Sequence, residues 1–397
     1  MRILHIFSFL SPNANGTITL TRQLSLALAQ RGHEVGVFTS DFELSKEYID
    51  SLKPVKIYAY PSWLNLKRLY LYPSPGMISE AKRIIRDFDI VHLHCFRSLQ
   101  NMVVCHYAKK YGIPYVVDAH GSVPIATEGK KGLKWLLRKL FDVFYGYNML
   151  KGSSKVIAET EVGIREYEEL GVKKEKIVLI PPPFSVDEFS QLPAVGQFRS
   201  KYDIGEKHII MFMGRINQIK GLDFLVESFY QLTQLRNDVI LAIIGPDDGY
   251  KSALDDLIDR LNLSEKVLFT GFLGGEQKLS ALVDADVFAQ TSRYEQGAWA
   301  PFEAVLCGTP IIVTGHTGAG EDVKRLDAGS LVEFGNRKEL AELILRILED
   351  PAEAESKANK AAKYIRENMS ITKRIEDYEK LYVKCIEENK QLARDKK

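Results

Sequence analysis

Apolar residues occur in short runs separated by polar loops, and the runs alternate between two periods. Residues 3–7 form a short, largely apolar run of strand length, interrupted by His5. A turn-rich stretch to Gly16 follows, and then Leu20, Leu24 and Leu28 recur every four residues, which predicts a helix ending near Arg31 and Gly32. A second apolar run at 35–39 completes strand, loop, helix, strand. That order is a βαβ unit, and it implies parallel strands joined by right-handed crossovers. Further strands are predicted at 90–93, 115–119 and 155–158. After residue 200 the pattern restarts: a strand at 208–213, a polar turn at 214–221, a helix carrying Leu225, Phe229 and Leu232, and strands at 239–244, 267–270, 287–289 and 310–313. Pro181, Pro182 and Pro183 break any regular element, so the boundary between the halves is expected between Ile180 and Gly205. Tyr378, Leu381 and Cys385 have helical spacing in the last stretch.

The expected fold is therefore α/β, with two doubly wound Rossmann-like domains facing across a cleft and helices at the C-terminus. The expected boundaries are an N-terminal domain at 1–185, a linker at 186–204, a C-terminal domain at 205–370, and a final helix at 371–397 packing back on the first domain. The length of 397 residues fits two domains at roughly 100–200 residues each. Composition changes this picture little. With 53 Lys and Arg against 52 Asp and Glu, the net charge of +1 gives no global pull toward nucleic acid. The four cysteines, at 95, 105, 307 and 385, form no CxxC pair and read as free thiols in a reducing compartment. No apolar run reaches the ~18 residues that a membrane crossing takes, so a cytoplasmic location is expected.

Ligands of doubly wound sheets sit beyond the carboxyl ends of the strands, so chemistry is expected on the loops that follow them. The loop through Asn15 and Gly16 opens a helix N-terminus and suits an anion. It lacks GxGxxG, so no nicotinamide or flavin cofactor is expected. Arg215 and Lys220 lie on one loop after a strand. The planar fork of the one and the point charge of the other suit a diphosphate, although solvated surface charges are the commoner fate of such residues. Glu295 precedes, and Glu303 lies within, a helix expected to start near Pro301; both are candidates for accepting hydrogen bonds from sugar hydroxyls. His120 ends a predicted strand and is a candidate for holding a phosphate or a reacting sugar by hydrogen bonding, or for moving a proton, although a lone histidine is more often structural. His92 and His94 share one strand face, where packing and local hydrogen bonds are expected in place of a metal.

Taken together, these motifs resemble the family 4 retaining glycosyltransferases, which have the GT-B fold, over nearly the whole chain. The most specific element is E-x7-E from Glu295 to Glu303, followed by Cys307-Gly308-Thr309-Pro310. Gly214-Arg215 with Lys220-Gly221 comes next, and Gly32-His33, His120-Gly121, Gly271 and the run from Gly318 to Glu321 are weaker matches. The resemblance implies a retaining, metal-independent hexosyltransferase that uses a UDP- or GDP-sugar as substrate and no cofactor. It implies that Arg215 and Lys220 hold the diphosphate, Glu303 the ribose, and Glu295 the donor sugar. It implies further that His120 lies near the anomeric carbon, that Asn15 and Gly16 close over the phosphates, that Gly271 and Phe272 meet the nucleobase, and that Gly297 and Ala298 lie beside the sugar. The chain departs from the family where Asn15-Gly16 replaces two glycines, where Gly297-Ala298 replaces Phe-Gly, and at Pro182-Pro183-Phe184. Rival readings are a phosphorylase-like enzyme with a pyridoxal lysine, a sugar-nucleotide epimerase, and a non-catalytic sugar-nucleotide-binding subunit.

One further pattern stands apart. Leu133, Leu136, Leu137, Leu140, Phe141 and Phe144 fall on one helical face, with Lys130, Lys134 and Arg138 on its flank and Lys131, Trp135 and Lys139 opposite. Two readings stand side by side: an ordinary surface helix packed on the first domain with its Trp covered by a neighbour, or an apolar stripe packed on the domain and a Trp–Lys face turned to anionic lipid, which would bring the protein to the inner face of the membrane and to a saccharide or lipid-linked acceptor in cell-surface polysaccharide synthesis.

Overall fold

The computed structural model describes residues 1–11, 16–62, 75–123, 133–297 and 299–395, with backbone alone at 75, 133 and 134. The chain forms two compact units, Met1–Phe184 with Met369–Lys397, and Ser185–Asn368.

Unit 1 is built on seven parallel strands: β1 Arg2–Ile6, β2 Glu34–Ser40, β3 Lys56–Tyr60, β4 Ile90–His94, β5 Tyr115–Asp118, β6 Lys155–Ala158 and β7 Ile177–Leu179. Their spatial order is β3-β2-β1-β4-β5-β6-β7. Both faces of the sheet are covered, which is why its central strands β1 and β4 are largely apolar, with His5 on β1 and His92 and His94 on β4 as buried exceptions. One face carries Ile3, Val37, Ile90 and Val116. The other carries Leu4, Phe38, Val91 and Val117. The helix Leu99–Tyr111 begins at Ser98, whose hydroxyl accepts from the Asn101 amide, and stops at the left-handed Gly112. The final helix, Ile371–Asp395, buries Ile375, Tyr378, Leu381, Tyr382 and Cys385 in this unit, a three-four spacing that makes one continuous stripe.

Unit 2 has six parallel strands: β8 His208–Met213, β9 Val239–Ile244, β10 Val267–Gly271, β11 Val287–Gln290, β12 Ile311–Thr314 and β13 Ser330–Val332, in the order β10-β9-β8-β11-β12-β13. The segment 186–204, expected as a linker, is folded into this unit instead. The Asp284 carboxylate accepts from the amides of Gly196 and Arg199 at 2.6 and 2.9 Å, and the Arg199 guanidinium reaches Asp286 at 2.8 Å.

Candidate functional site

In a parallel sheet every carboxyl end lies along one edge, and a crevice opens where the strand order reverses. That point is β8/β11 in unit 2 and β1/β4 in unit 1.

At the unit 2 switch point the loops after β8 and β11 are locked together. Gly221 makes this possible. Its φ is +61°, and a Cβ there would lie 2.0 Å from the Thr291 carbonyl oxygen, so only glycine fits. The Arg293 amide donates to the Ile219 carbonyl at 2.8 Å, and the Arg293 guanidinium bridges to Asp223 at 2.5 Å. This interlock brings Lys220 against Glu295: the ammonium donates to Oε1, which also accepts from the Ser292 hydroxyl at 3.0 Å. Their side chains are 19% and 16% exposed, accessible enough for a ligand to take either group. The Gly318 amide, at the start of the helix Gly318–Leu326, donates to the Glu295 carbonyl at 2.7 Å. A Cβ on Gly318 would lie 2.0 Å from the Gln296 carbonyl oxygen, so this helix start is pressed onto the same loop.

Arg215 lies on the loop after β8 but turns to Asp248, 2.5 Å away on the loop after β9; Asn217 donates to the same carboxylate at 3.0 Å. The Asp247-Asp248-Gly249 segment is a turn, in which the Asp247 carboxylate accepts the Gly249, Tyr250 and Lys251 amides. Glu303 lies on the helix Trp299–Leu306, and its Oε1 accepts from Lys278 at 3.1 Å. Lys278 also lies 3.7 Å from Glu188. Burial pushes the Glu303 carboxyl up, and Lys278 pulls it back only in part. Gly271 ends β10 with φ +72°, and Phe272 beside it is 57% exposed. Gly297 lies in a turn after β11. Arg215, Lys220, Gly271, Glu295, Gly297 and Glu303 thus all sit on loops or helices that follow β8, β10 and β11 at one edge of one sheet. Asn15 and Ala298 lie outside the described residues, and Gly16 is the first residue of the helix Gly16–Gln30.

His120 belongs to unit 1 and sits after β5. Both of its ring nitrogens are taken up within the protein. Nδ1 lies 2.8 Å from Glu159, and Nε2 lies 2.9 Å from His94 Nδ1. The side chain is 4% exposed, and the backbone turns at φ +47° with the Asp118 carboxylate accepting its amide at 3.2 Å. A sugar hydroxyl reaches Nε2 only by replacing His94. Burial lowers the affinity of this ring for a proton, but the carboxylates of Asp118 and Glu159 outweigh it, and the net shift is upward. His92 and His94 make the packing and hydrogen bonds expected of them: His92 Nδ1 meets the Tyr382 hydroxyl at 2.7 Å, and His94 Nε2 meets His5 Nδ1 at 2.8 Å.

Lys278, Asp248, Glu159 and His5 carry no sequence signal comparable to E-x7-E. Lys278 precedes Glu303 by 25 residues, and only the sheet order brings them together. His5 was within reach of a register argument, because β1 and β4 pair His5 with His92.

The helix Leu133–Phe141 reverses an expectation. Leu136, Leu137, Leu140 and Phe144 are 47%, 46%, 43% and 65% exposed, whereas Trp135 is half-buried with the Lys139 ammonium 4.4 Å from its ring centre. A π-turn at Asp142–Gly146 follows, with the Asp142 carboxylate turned inward to Arg97 at 2.7 Å, so the apolar row faces outward. Lys130 and Lys131, and the side chain of Lys134, lie outside the described residues. Among the described residues no helix is long and apolar enough to cross a membrane.

Two doubly wound units of this topology, each with its own switch point, define the GT-B class. The glycosyl transferases group 1 family matches residues 196–367, and glycosyltransferase family 4 matches residues 14–188. The chain belongs to the family 4 glycosyltransferases. It is 24% identical over 391 residues to N-acetyl-alpha-D-glucosaminyl L-malate synthase of Bacillus anthracis, covering 96% of each chain. It is 24% identical to D-inositol 3-phosphate glycosyltransferase of Kineococcus radiotolerans, covering 88% of this chain and 86% of that one. Its fold is similar to that of Anabaena Alr3699/HepE, solved in complex with UDP and glucose, at a TM-score of 0.79 and 19% identity over 97% of this chain and all of that one.

Proposed function

We propose that the protein transfers a hexose from a nucleotide sugar to a hydroxyl acceptor with retention of anomeric configuration. The observation that carries this reading is the Lys220–Glu295 pair at the β8/β11 switch point: a cation for a departing diphosphate and a carboxylate for the adjoining sugar, on two loops locked together. Lys220, with Arg215 released from Asp248, neutralises charge that grows on the diphosphate as the glycosidic bond lengthens, and the start of the helix Gly318–Leu326 adds its dipole. Glu303, held by Lys278, accepts from the ribose hydroxyls. In this reading side chains meet the leaving charge without a metal, and chelator leaves turnover unchanged. The UDP and glucose bound by the Anabaena protein favour a UDP-sugar as donor.

The acceptor reading rests on the row Leu136, Leu137, Leu140 and Phe144, with Arg138 on its flank. An exposed apolar row with a basic flank suits an anionic bilayer and hence a lipid-linked acceptor in cell-surface glycoconjugate synthesis. Leu137→Asp with Phe144→Asp should abolish flotation with anionic vesicles, and equal flotation removes the membrane reading. A thermal-shift screen against UDP-, GDP- and ADP-sugars tests the donor, since a bound ligand raises the melting temperature by mass action. Anomeric NMR of the product tests retention, and release of an epimerised sugar nucleotide without acceptor would replace transfer by epimerisation.

A further inference from the structure

Four histidines from three parts of the chain meet inside unit 1. His5 is on β1, His92 and His94 are on β4, and His120 follows β5. His5 and His92 are fully buried, and His94 is 1% exposed. Three of the rings are joined nitrogen to nitrogen: His120 Nε2 to His94 Nδ1 at 2.9 Å, and His94 Nε2 to His5 Nδ1 at 2.8 Å. The chain is anchored at one end by Glu159, 2.8 Å from His120 Nδ1. At the other end His5 Nε2 is buried with no hydrogen-bond partner among the described residues.

Each of these contacts needs one N–H and one lone pair, and that fixes the protons. The Glu159 carboxylate accepts, so His120 Nδ1 carries a proton in every state. When His120 is neutral, its Nε2 is a lone pair. His94 must then carry its proton on Nδ1 and accept at Nε2, so His5 carries its proton on Nδ1. When His120 is an imidazolium, Nε2–H donates instead. His94 then accepts at Nδ1 and donates from Nε2, and His5 accepts at Nδ1 and carries its proton on Nε2. The two states differ by one proton. As a difference between the charged and the neutral state, His120 Nε2–H is replaced by His94 Nδ1–H, His94 Nε2–H by His5 Nδ1–H, and the proton on buried His5 Nε2 is the one the chain gives up to solvent overall.

We infer that His120, His94 and His5 form an imidazole chain whose tautomers reverse together when His120 gains or loses its proton, which makes His94 and His5 positioning residues for His120. His5 and His94 stay uncharged throughout because burial disfavours their cationic forms, whereas the two carboxylates keep the charge on His120. The titratable groups facing the chain are His92 on β4 and Cys95 after it, Asp118 and Glu159 at the ends of β5 and β6, Tyr167 on the helix Glu161–Glu169, and Tyr378 and Tyr382 on the helix Ile371–Asp395. A metal ion is the competing occupant, since His5, His92 and His94 each offer a nitrogen within 4.8 Å of the others. It is disfavoured because His94 already spends both nitrogens on His5 and His120.

The consequence for turnover rests on the proposed sugar transfer together with the expectation, implied by the family resemblance, that His120 lies near the anomeric carbon. A substrate hydroxyl that takes Nε2 from His94 would then meet a ring whose donor or acceptor character the chain has set. The test needs no substrate, so it stands or fails separately from that function. Long-range proton–nitrogen correlation spectra of protein labelled with ¹⁵N-histidine report the tautomer of each ring across pH. The expected result is a single midpoint at which His120 loses its charge while His94 and His5 both pass from Nε2–H to Nδ1–H without becoming imidazolium. Glu159→Gln should move that midpoint to lower pH for all three rings at once. The inference is overturned if His94 or His5 keeps one tautomer across the His120 titration, if Glu159→Gln shifts His120 alone, or if the purified protein holds a stoichiometric metal at these rings. Should Glu159→Gln fail to fold, the wild-type titration alone decides.

Discussion

Lys220 and Glu295 make opposite and calculable demands on ligand binding. In the free protein the ammonium is paired with the carboxylate, so a diphosphate must first take Lys220 away from Glu295. A charge-assisted hydrogen bond to phosphate contributes about 1.5–3 kcal/mol. Releasing this part-buried pair costs about 1 kcal/mol, taken at the upper end of the range for solvent-exposed pairs. The net contribution of Lys220 to nucleotide affinity is then about 0.5–2 kcal/mol, or roughly 2- to 30-fold in Kd. Lys220→Met should weaken UDP binding by that factor. Glu295→Gln removes the competitor and should tighten UDP by about 5-fold, the equivalent of about 1 kcal/mol, while lowering turnover through lost contacts to the sugar. Isothermal titration with UDP on the three proteins gives all the values. Unchanged affinity in Lys220→Met, or weaker UDP binding in Glu295→Gln, refutes the exchange of partners.

Other outcomes follow from the same geometry. Glu303→Ala should weaken UDP-sugar binding by about 10- to 100-fold, the loss of one or two hydrogen bonds to a charged acceptor, with the circular dichroism spectrum unchanged; unaltered affinity counts against the ribose contact. Arg97 and Asp142 form a bidentate pair 12% and 1% exposed, so Arg97→Met strands a buried carboxylate and should cost about 3–5 kcal/mol in urea unfolding. A loss below about 1 kcal/mol would show that water reaches the carboxylate. Burial lowers His5 to about 3, and His92 and His94 fall well below their ordinary value for the same reason. Folded-state values below the unfolded ones mean that stability is full above about pH 6.5 and is lost as pH falls. Near pH 5 His5, held at about 3 in the fold, contributes a slope of about 1.4 kcal/mol per pH unit, and His92 and His94 add to it in the same direction. Unfolding at pH 5 should take up about one proton or more through these rings, and uptake well below one would mean that they are hydrated in the native state.

Much of this molecule was legible in its sequence, and the parts that were not share a physical cause. Central strands such as β8 and β9 are buried on both faces, so their apolar runs are unbroken and their predicted bounds, 208–213 and 239–244, match the structure. The strands missed were β3, β7 and β13, each at the end of a sheet with a single neighbour. There one side stays in water: Lys56 and Ala59 are exposed on β3, as is Leu179 on β7, and β13 is only three residues long. In the site, motif spacing located Lys220, Glu295 and Glu303 because each follows a strand of the same edge. The partners Lys278, Asp248 and Glu159 depend on strand order, which a linear pattern does not encode. Amphipathicity marked the helix Leu133–Phe141 but not which side of it meets the protein. The turn at Asp142, tied to Arg97, decides that, and it leaves the leucines outside.

The central claim is that cations and carboxylates at the β8/β11 edge converge on one nucleotide sugar. A crystal structure of the protein with UDP-glucose tests this most directly. The account predicts Lys220 Nζ detached from Glu295 and within hydrogen-bond distance of a diphosphate oxygen, with Arg215 on the same diphosphate and Glu303 on the ribose. A nucleotide bound elsewhere, or bound with Lys220 still paired to Glu295, would contradict it.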